Sequence, residues 1–362
     1  MKLWPIAICV LACKGHDKPA PPPPTAPTPA VIVDAKPPGP EKVNVAKVLA
    51  CIDAENTGKL DVASCYTPKA FIDTPLVHAD TAVAIARFAT LDRTAFPDAK
   101  QEPRLVLAED TKVVVVSLVT GTQAAPVETW LGVIPSHGKT VGFLIARQID
   151  VDKAGLIVGE HQYYDLDTLA SQLGVATSAQ LAPLLAPTGK PPEVQLSTGA
   201  VEESDLLLTT EVLAGKLDNT SNENLADWFG DHFTLTDSDL PAPLDAAQTS
   251  AMIAAMRRGL EARPNPVGYT IGNDTAAVYL DLSITNDGPV PELGLADKPK
   301  DAQPTWYLPT LVVAKFASHR NRTGKLAAVW VFHRDRPAHD LGIVVGKVTF
   351  KDKVPDSNML TA

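Results

Sequence analysis

Apolar positions along the chain change period in a fixed order. Val45, Val48, Leu49 and Ile52 fall at i, i+3, i+4 and i+7, which predicts one buried face of a first helix. Residues 61–66 predict a short second helix, and Phe71-Ile72 begin a strand. Ala84, Phe88 and Leu91 stripe a third helix. Four β-rich runs follow, at 104–108, 112–120, 127–134 and 140–151, and a fifth at 156–164 precedes a closing helix. About three helices before a meander of strands predict a curved antiparallel sheet packed on a helix layer, an α+β fold.

The pattern then returns. The stretch CIDAENTGKLDVASCYTPKAF near Cys51 matches GKLDNTSNENLADWFGDHF near Gly215, pairing Asp53 with Asp218. Asp80 and Asp245 align as caps of the third helix, whose second copy carries Met252, Met256 and Leu260. Asp110-Thr111 align with Asp274-Thr275 at a hairpin turn. One register of 164 to 165 residues across three segments predicts two tandem domains of the same design, at 41–186 and 201–352. The Pro- and Gly-containing segment 187–200 is the expected linker, and 353–362 a C-terminal tail.

Composition changes what surrounds these domains. After Met1-Lys2, residues 3–12 form an apolar run too short to span a bilayer as a mature helix. It ends in Val10-Leu11-Ala12-Cys13, which resembles a bacterial lipoprotein signal. That resemblance implies a signal peptide at 1–12, a lipidated Cys13, and an acyl anchor worth about 0.8 kcal/mol per buried methylene. Lys14 in place of a retention aspartate implies the outer membrane, facing the periplasm, after secretion across the inner membrane. Residues 13–40 then form a proline-rich tether, extended because proline fixes φ and removes donors. With Cys9 and Cys13 set aside, Cys51 and Cys65 remain as a disulfide candidate in an oxidising compartment. A net charge of −10 argues against nucleic acid, which draws on clustered Lys and Arg. The expected membrane contact is the lipid anchor alone.

Three groups of residues resemble the SnoaL-like (polyketide cyclase-like) branch of the NTF2-like superfamily. They are Asp53-Ala54-Glu55-Asn56-Thr57-Gly58 with Cys65-Tyr66-Thr67-Pro68 and Asp73; Gly132 to Lys139; and Tyr163-Tyr164-Asp165 with Gln172-Leu173-Gly174. The resemblance covers about residues 43–185 and implies a cone-shaped fold with an apolar cavity between sheet and helices. The second domain inherits it only through the repeat, as a divergent copy.

The cyclases of this family use an aspartate with a nearby histidine. Here the aspartate's place falls on Gln162 and the histidine's on or near Arg147. An amide exchanges no proton and a guanidinium stays charged, so that chemistry is not expected. His161 and Asp165 remain as displaced acid/base candidates, although strand alternation points His161 to the face opposite Gln162. Tyr66, Trp130, Arg147, Gln162, Tyr163 and Tyr164 are the candidates for lining a ligand cavity. The eight histidines show no paired ligand spacing, and neither a metal nor a cofactor is expected. Gly132 and Gly138 stand one residue too far apart for a phosphate loop.

Two functional classes follow. The first is a non-catalytic binding or scaffold protein at the envelope, taking an apolar small molecule and pairing its two domains within the chain. The second is a cyclase, isomerase or dehydratase with a displaced acid/base residue.

Overall fold

A computed structural model describes residues 39–129, 132–174, 183–198, 229–237, 242–286, 288, 305–317 and 325–333. Helix α1 (Glu41–Asn56) buries Val45, Val48 and Ile52 along the expected stripe. Helix α2 (Val62–Cys65) starts at Asp61, whose carboxylate accepts from Ala63 N at 3.2 Å. The Cys51–Cys65 disulfide ties α1 to α2. Helix α3 (Ala82–Ala95) is capped by Thr81, which accepts from Ala84 N at 3.2 Å, and not by Asp80 as the repeat suggested. Thr81 is one residue nearer the first turn and so reaches its free N–H groups.

The first sheet contains β1 (Tyr66–Asp73), β2 (His78–Ala79), β3 (Lys100–Glu109), β4 (Lys112–Thr122), β7 (Thr140–Val151), β8 (Ile157–Tyr163) and β9 (Glu193–Leu196). Its order is β2-β1-β8-β7-β4-β3-β9. The single run expected at 127–134 is instead two short strands, β5 (Val127–Thr129) and β6 (Gly132–Ile134), paired with each other. Helix α4 (Leu166–Gln172) closes the unit. The centre of the sheet is antiparallel as expected, but β1 pairs parallel with β8, and β9 parallel with β3. Strand β9 lies inside the expected linker: the segment runs along the edge of β3 and satisfies backbone groups left open there.

The second sheet contains β10 (Phe229–Asp237), β11 (Leu260–Ile271), β12 (Thr275–Asn286), β13 (Thr305–Phe316) and β14 (Leu326–His333), in the order β10-β14-β13-β12-β11. Helix α5 (Ala246–Arg257) packs against β10 and β11, with Asp245 accepting from Gln248 N at 2.8 Å. Leu260, expected on this helix, begins β11. The five strands β1-β8-β7-β4-β3 of the first sheet share the topology of the second, including the parallel pairs β1–β8 and β10–β14; β2 and β9 have no counterpart among the described residues. Their register breaks also coincide: the ladder skips Arg104 between Pro103 and Leu105, and Val267 between Pro266 and Gly268. Proline lacks the N–H that a regular ladder requires, which suits it to a bulge. Pro103 and Pro266 are 163 residues apart, so the strands fix the hairpin alignment one residue short of the 164 read from Asp110 and Asp274.

Alternation gives the first sheet two apolar faces. One packs on α1 and α3 through Val106, Val113, Val115 and Ile149. The other meets the second sheet in one buried cluster of Leu105, Leu107, Val114, Val116, Ala146 and Tyr163 with Ala277, Tyr279, Leu311, Val313 and Phe332. Polar contacts frame that cluster. Glu109 accepts from Ile271 N at 2.9 Å, and the Lys112 ammonium lies 5.8 Å from the centre of the Tyr269 ring. The loop expected at 287–304 and the opening helices expected for the second domain fall outside the described residues, apart from Gly288. No described helix is long and apolar enough to cross a membrane.

Candidate functional site

Helix α3 and the inner face of the first sheet enclose a cavity of about 490 Å3. Its walls are apolar: Ile72, Leu76, Ile85, Phe88 and Phe96 on one side, Val141, Phe143, Ile145, Tyr164 and Leu173 on the other. The end motif resembling "QLG" builds part of this wall. Leu173 is buried, and the Gln172 amide accepts from Gly142 N at 2.8 Å and donates to Gly142 O at 3.1 Å, holding α4 against β7.

The polar groups collect on one floor. Arg147 and Gln162 stand directly opposite each other across β7 and β8, and Glu160 lies two residues from Gln162 on the same face. Arg147 is 1% exposed, and all five of its N–H groups are used. Its Nε donates to Glu160 Oε1 at 2.7 Å, and Nη2 to Glu160 Oε2 at 2.8 Å and Glu55 Oε1 at 3.3 Å. Its Nη1 donates to Glu55 Oε2 at 3.0 Å and Gln101 Oε1 at 3.1 Å. Tyr66 donates to Glu160 Oε2 at 3.1 Å, Gln101 to Glu55 Oε2 at 3.1 Å, and Gln162 to Glu160 Oε1 at 2.6 Å. Two carboxylates thus share one guanidinium. Burial raises the Glu55 carboxyl above its ordinary value; Arg147 opposes this and Glu160 adds to it. Burial also raises the Tyr66 phenol, helped by Glu160 and Glu55.

Asp92 is a further acid of the cavity. It follows Ile85 and Phe88 at helical spacing, so α3 turns it toward the same space. Its side chain is exposed and contributes to the cavity lining. Desolvation by the surrounding protein, then the charge of Glu55, push its carboxyl up to about 6 against the pull of Arg93. Because Asp92 is exposed, solvent screening moderates that effect. The Asp92 carboxylate makes no hydrogen bond or ion pair among the described residues, while its backbone carbonyl accepts from Phe96 N at 2.8 Å.

The expected site residues divide accordingly. Tyr66, Gln162 and Tyr164 line the cavity. Arg147 lies beneath the floor, where it organises the carboxylates and touches no open space. Tyr163 does not line the cavity: it sits on the opposite face, packed against the second sheet, and donates to Gln148 Oε1 at 3.0 Å. Trp130 and Cys13 fall outside the described residues. His161 also lies on the outer face, against the Phe71 ring and 3.5 Å from Asp73 Oδ2. Asp165 caps α4, accepting from Thr168 N at 2.6 Å. Neither displaced acid/base candidate reaches the cavity. Glu55, Glu160 and Asp92 were not singled out from sequence. A charged residue in phase with Gln162 and opposite Arg147, and an acid on the apolar stripe of α3, were the available signals. Among the described residues, no three His, Cys, Asp or Glu side chains converge as a metal site.

Residues 46–173 match the family model described as SnoaL-like polyketide cyclase. Among solved structures, a protein from Jannaschia sp. CCS1 assigned as a SnoaL-like polyketide cyclase is 22% identical, with a TM-score of 0.34, covering 39% of this chain and 97% of that one. AclR from Streptomyces galilaeus, assigned as a hydroxylase, is 21% identical, with a TM-score of 0.32, covering 37% of this chain and 97% of that one. TsrD from Streptomyces laurentii is 20% identical, with a TM-score of 0.32, covering 37% and 97%. No curated protein matches the chain.

Proposed function

We propose that the first α+β unit is a receptacle for a small, mainly apolar molecule, and that it acts without the aspartate–histidine chemistry of the cyclases it resembles. One observation carries this reading: an apolar cavity of about 490 Å3 with a polar floor, on which Gln162 stands opposite Arg147; the resemblance gives those two positions to the acid/base pair. Such a cavity fits a drug-sized ligand, and convergent polar groups fix its orientation. A lipid on Cys13 and the proline-rich tether would hold this body at the periplasmic side of the outer membrane. The second sheet would cover the outer face of the first, an arrangement made within one chain. Native mass spectrometry of the purified protein tests the receptacle: a co-purifying small molecule supports it, and an empty protein from every growth condition contradicts it. Loss of acyl labelling in Cys13→Ala tests the anchor.

A second reading is favoured by Asp92, an accessible carboxyl in an apolar cavity with its pKa raised to about 6. Those are the properties a general acid or base needs near neutral pH. In that case the protein is an enzyme of the cyclase, isomerase or dehydratase type with its proton-transfer group moved from the sheet to α3. The co-purified molecule again discriminates. A binding protein returns it unchanged after incubation, whereas an enzyme converts it and Asp92→Asn stops the conversion.

A further inference from the structure

The hydrogen bonds of the cavity floor narrow the ligand's chemistry, an inference that rests on the receptacle reading. All five N–H groups of Arg147 are consumed by Glu55, Glu160 and Gln101. The Tyr66 hydroxyl is taken by Glu160, and one N–H of each amide goes to a carboxylate. The Tyr164 hydroxyl points to Thr74 Oγ1 at 3.5 Å, which also accepts from Leu76 N and Val77 N. What remains open toward the cavity is mainly acceptor: both oxygens of Asp92, one remaining lone pair on Glu55 Oε1, and Gln162 Oε1. The donors left are neutral, the second N–H of Gln101 and Gln162 and the hydroxyl of Thr74.

Charge points the same way. Glu55, Glu160 and Asp92 face a single buried cation, Arg147. Arg93, also on the lining, directs its guanidinium to the backbone carbonyls of Pro97, Ala99 and Glu55. Lys100 and Glu128, the other charged lining residues, are exposed and of opposite sign. Asp92 is thus a carboxylate on the cavity lining that feels the charge of Arg93 but makes no side-chain hydrogen bond or ion pair among the described residues. An anionic head group would meet like charge and almost no free donor. A cationic donor would satisfy Asp92 and Glu55 together.

We propose that the cavity selects a molecule with an apolar, ring-sized body and a primary ammonium head, seated between Asp92 and Glu55. The test is a matched series on one body, phenylbutylamine, phenylbutanol and phenylbutyrate, titrated calorimetrically into the full-length protein at about pH 8, above the Asp92 value of about 6. The amine should bind at least about tenfold more tightly than the alcohol, a difference of roughly 1.4 kcal/mol, and the carboxylate should show no binding. Asp92→Asn, verified as folded by circular dichroism, should abolish the preference of amine over alcohol. Equal or better binding of alcohol or carboxylate overturns the ammonium assignment while leaving the receptacle intact. An unchanged preference in Asp92→Asn overturns the role of Asp92. Failure of all three to bind overturns both the assignment and the receptacle.

Discussion

The two sheets have the same strand order and bulge at matching prolines, yet their inner faces carry opposite chemistry. Aligned by their ladders, the floor positions Arg147, Glu160, Gln162, Tyr66 and Gln101 correspond to Val312, Val329, Val331, Phe229 and Pro264. Conversely, Ile145, Thr74 and Tyr164 correspond to Thr310, Asp237 and His333. The outer faces do not diverge in this way. Ala146, Val116 and Tyr163 match Leu311, Tyr279 and Phe332, and all six lie in the cluster between the sheets. Packing sheet against sheet constrains one face to stay apolar. The other face is free to carry a site, and here a polar network has been placed in one sheet and an aliphatic patch in its counterpart.

The sharpest way to break this comparison is Arg147→Val, which copies the second sheet at one position only. It leaves Glu160, fully buried, beside Glu55 with no cation, and should cost about 3–5 kcal/mol in urea unfolding. The triple change Arg147→Val, Glu160→Val and Gln162→Val copies three of the five floor positions and should recover part of that loss, because a well-packed apolar replacement of a buried ion pair is often neutral while Glu55 still lacks its cation. Failure of the triple to recover would mean that the surrounding shell is built for charge. Next in size is the disulfide, which only the first half possesses, since no cysteine follows Cys65. Its sequence separation is 14, and Cys51→Ala with Cys65→Ala should cost about 3 kcal/mol. Hydrogen exchange should place that loss in the first sheet.

The third test concerns His333, which is fully buried and accepts or shares a proton with Thr310 Oγ1 at 2.9 Å. Burial lowers its pKa from 6.5 to about 3. A lowered base contributes stability that is complete above 6.5 and declines as pH falls toward 3, because the unfolded chain takes up the proton first. His333→Phe should therefore remove roughly 2 kcal/mol of acid sensitivity at about pH 5, read as a smaller fall in stability between neutral and acid pH. Smallest is Asp92. Its raised value means that stability is fullest below 3.8 and is lost as pH rises through about 6. Asp92→Asn should raise Tm by roughly 2 °C above neutral pH and leave it unchanged near pH 4.

Sequence periodicity revealed the strands because each has one face packed on helices and the other on a second sheet. The strand at Thr140–Val151 was legible to its ends, as a long, mainly apolar run between turns. The divided hairpin at 127–134 and strand β9 were not, since both are short and depend on pairing with distant edges. Gln162 and Arg147 were placed by family spacing, and the ladder brings them together as cross-strand partners. Tyr163 was misassigned because two adjacent tyrosines look alike until strand phase is known. Glu55 and Asp92 escaped because helix ends are commonly charged. Asp92 nevertheless follows Ile85 and Phe88 on the apolar stripe of α3, the one sequence signal that it faces inward.

The most direct measurement is nuclear magnetic resonance of the full-length protein titrated with phenylbutylamine, following backbone amides on both inner faces. A receptacle in the first sheet predicts shifts concentrated at Glu55, Asp92, Gln162 and Tyr164, with Thr310 and His333 unmoved. Shifts centred on Thr310 and His333, or none on either sheet, would contradict it.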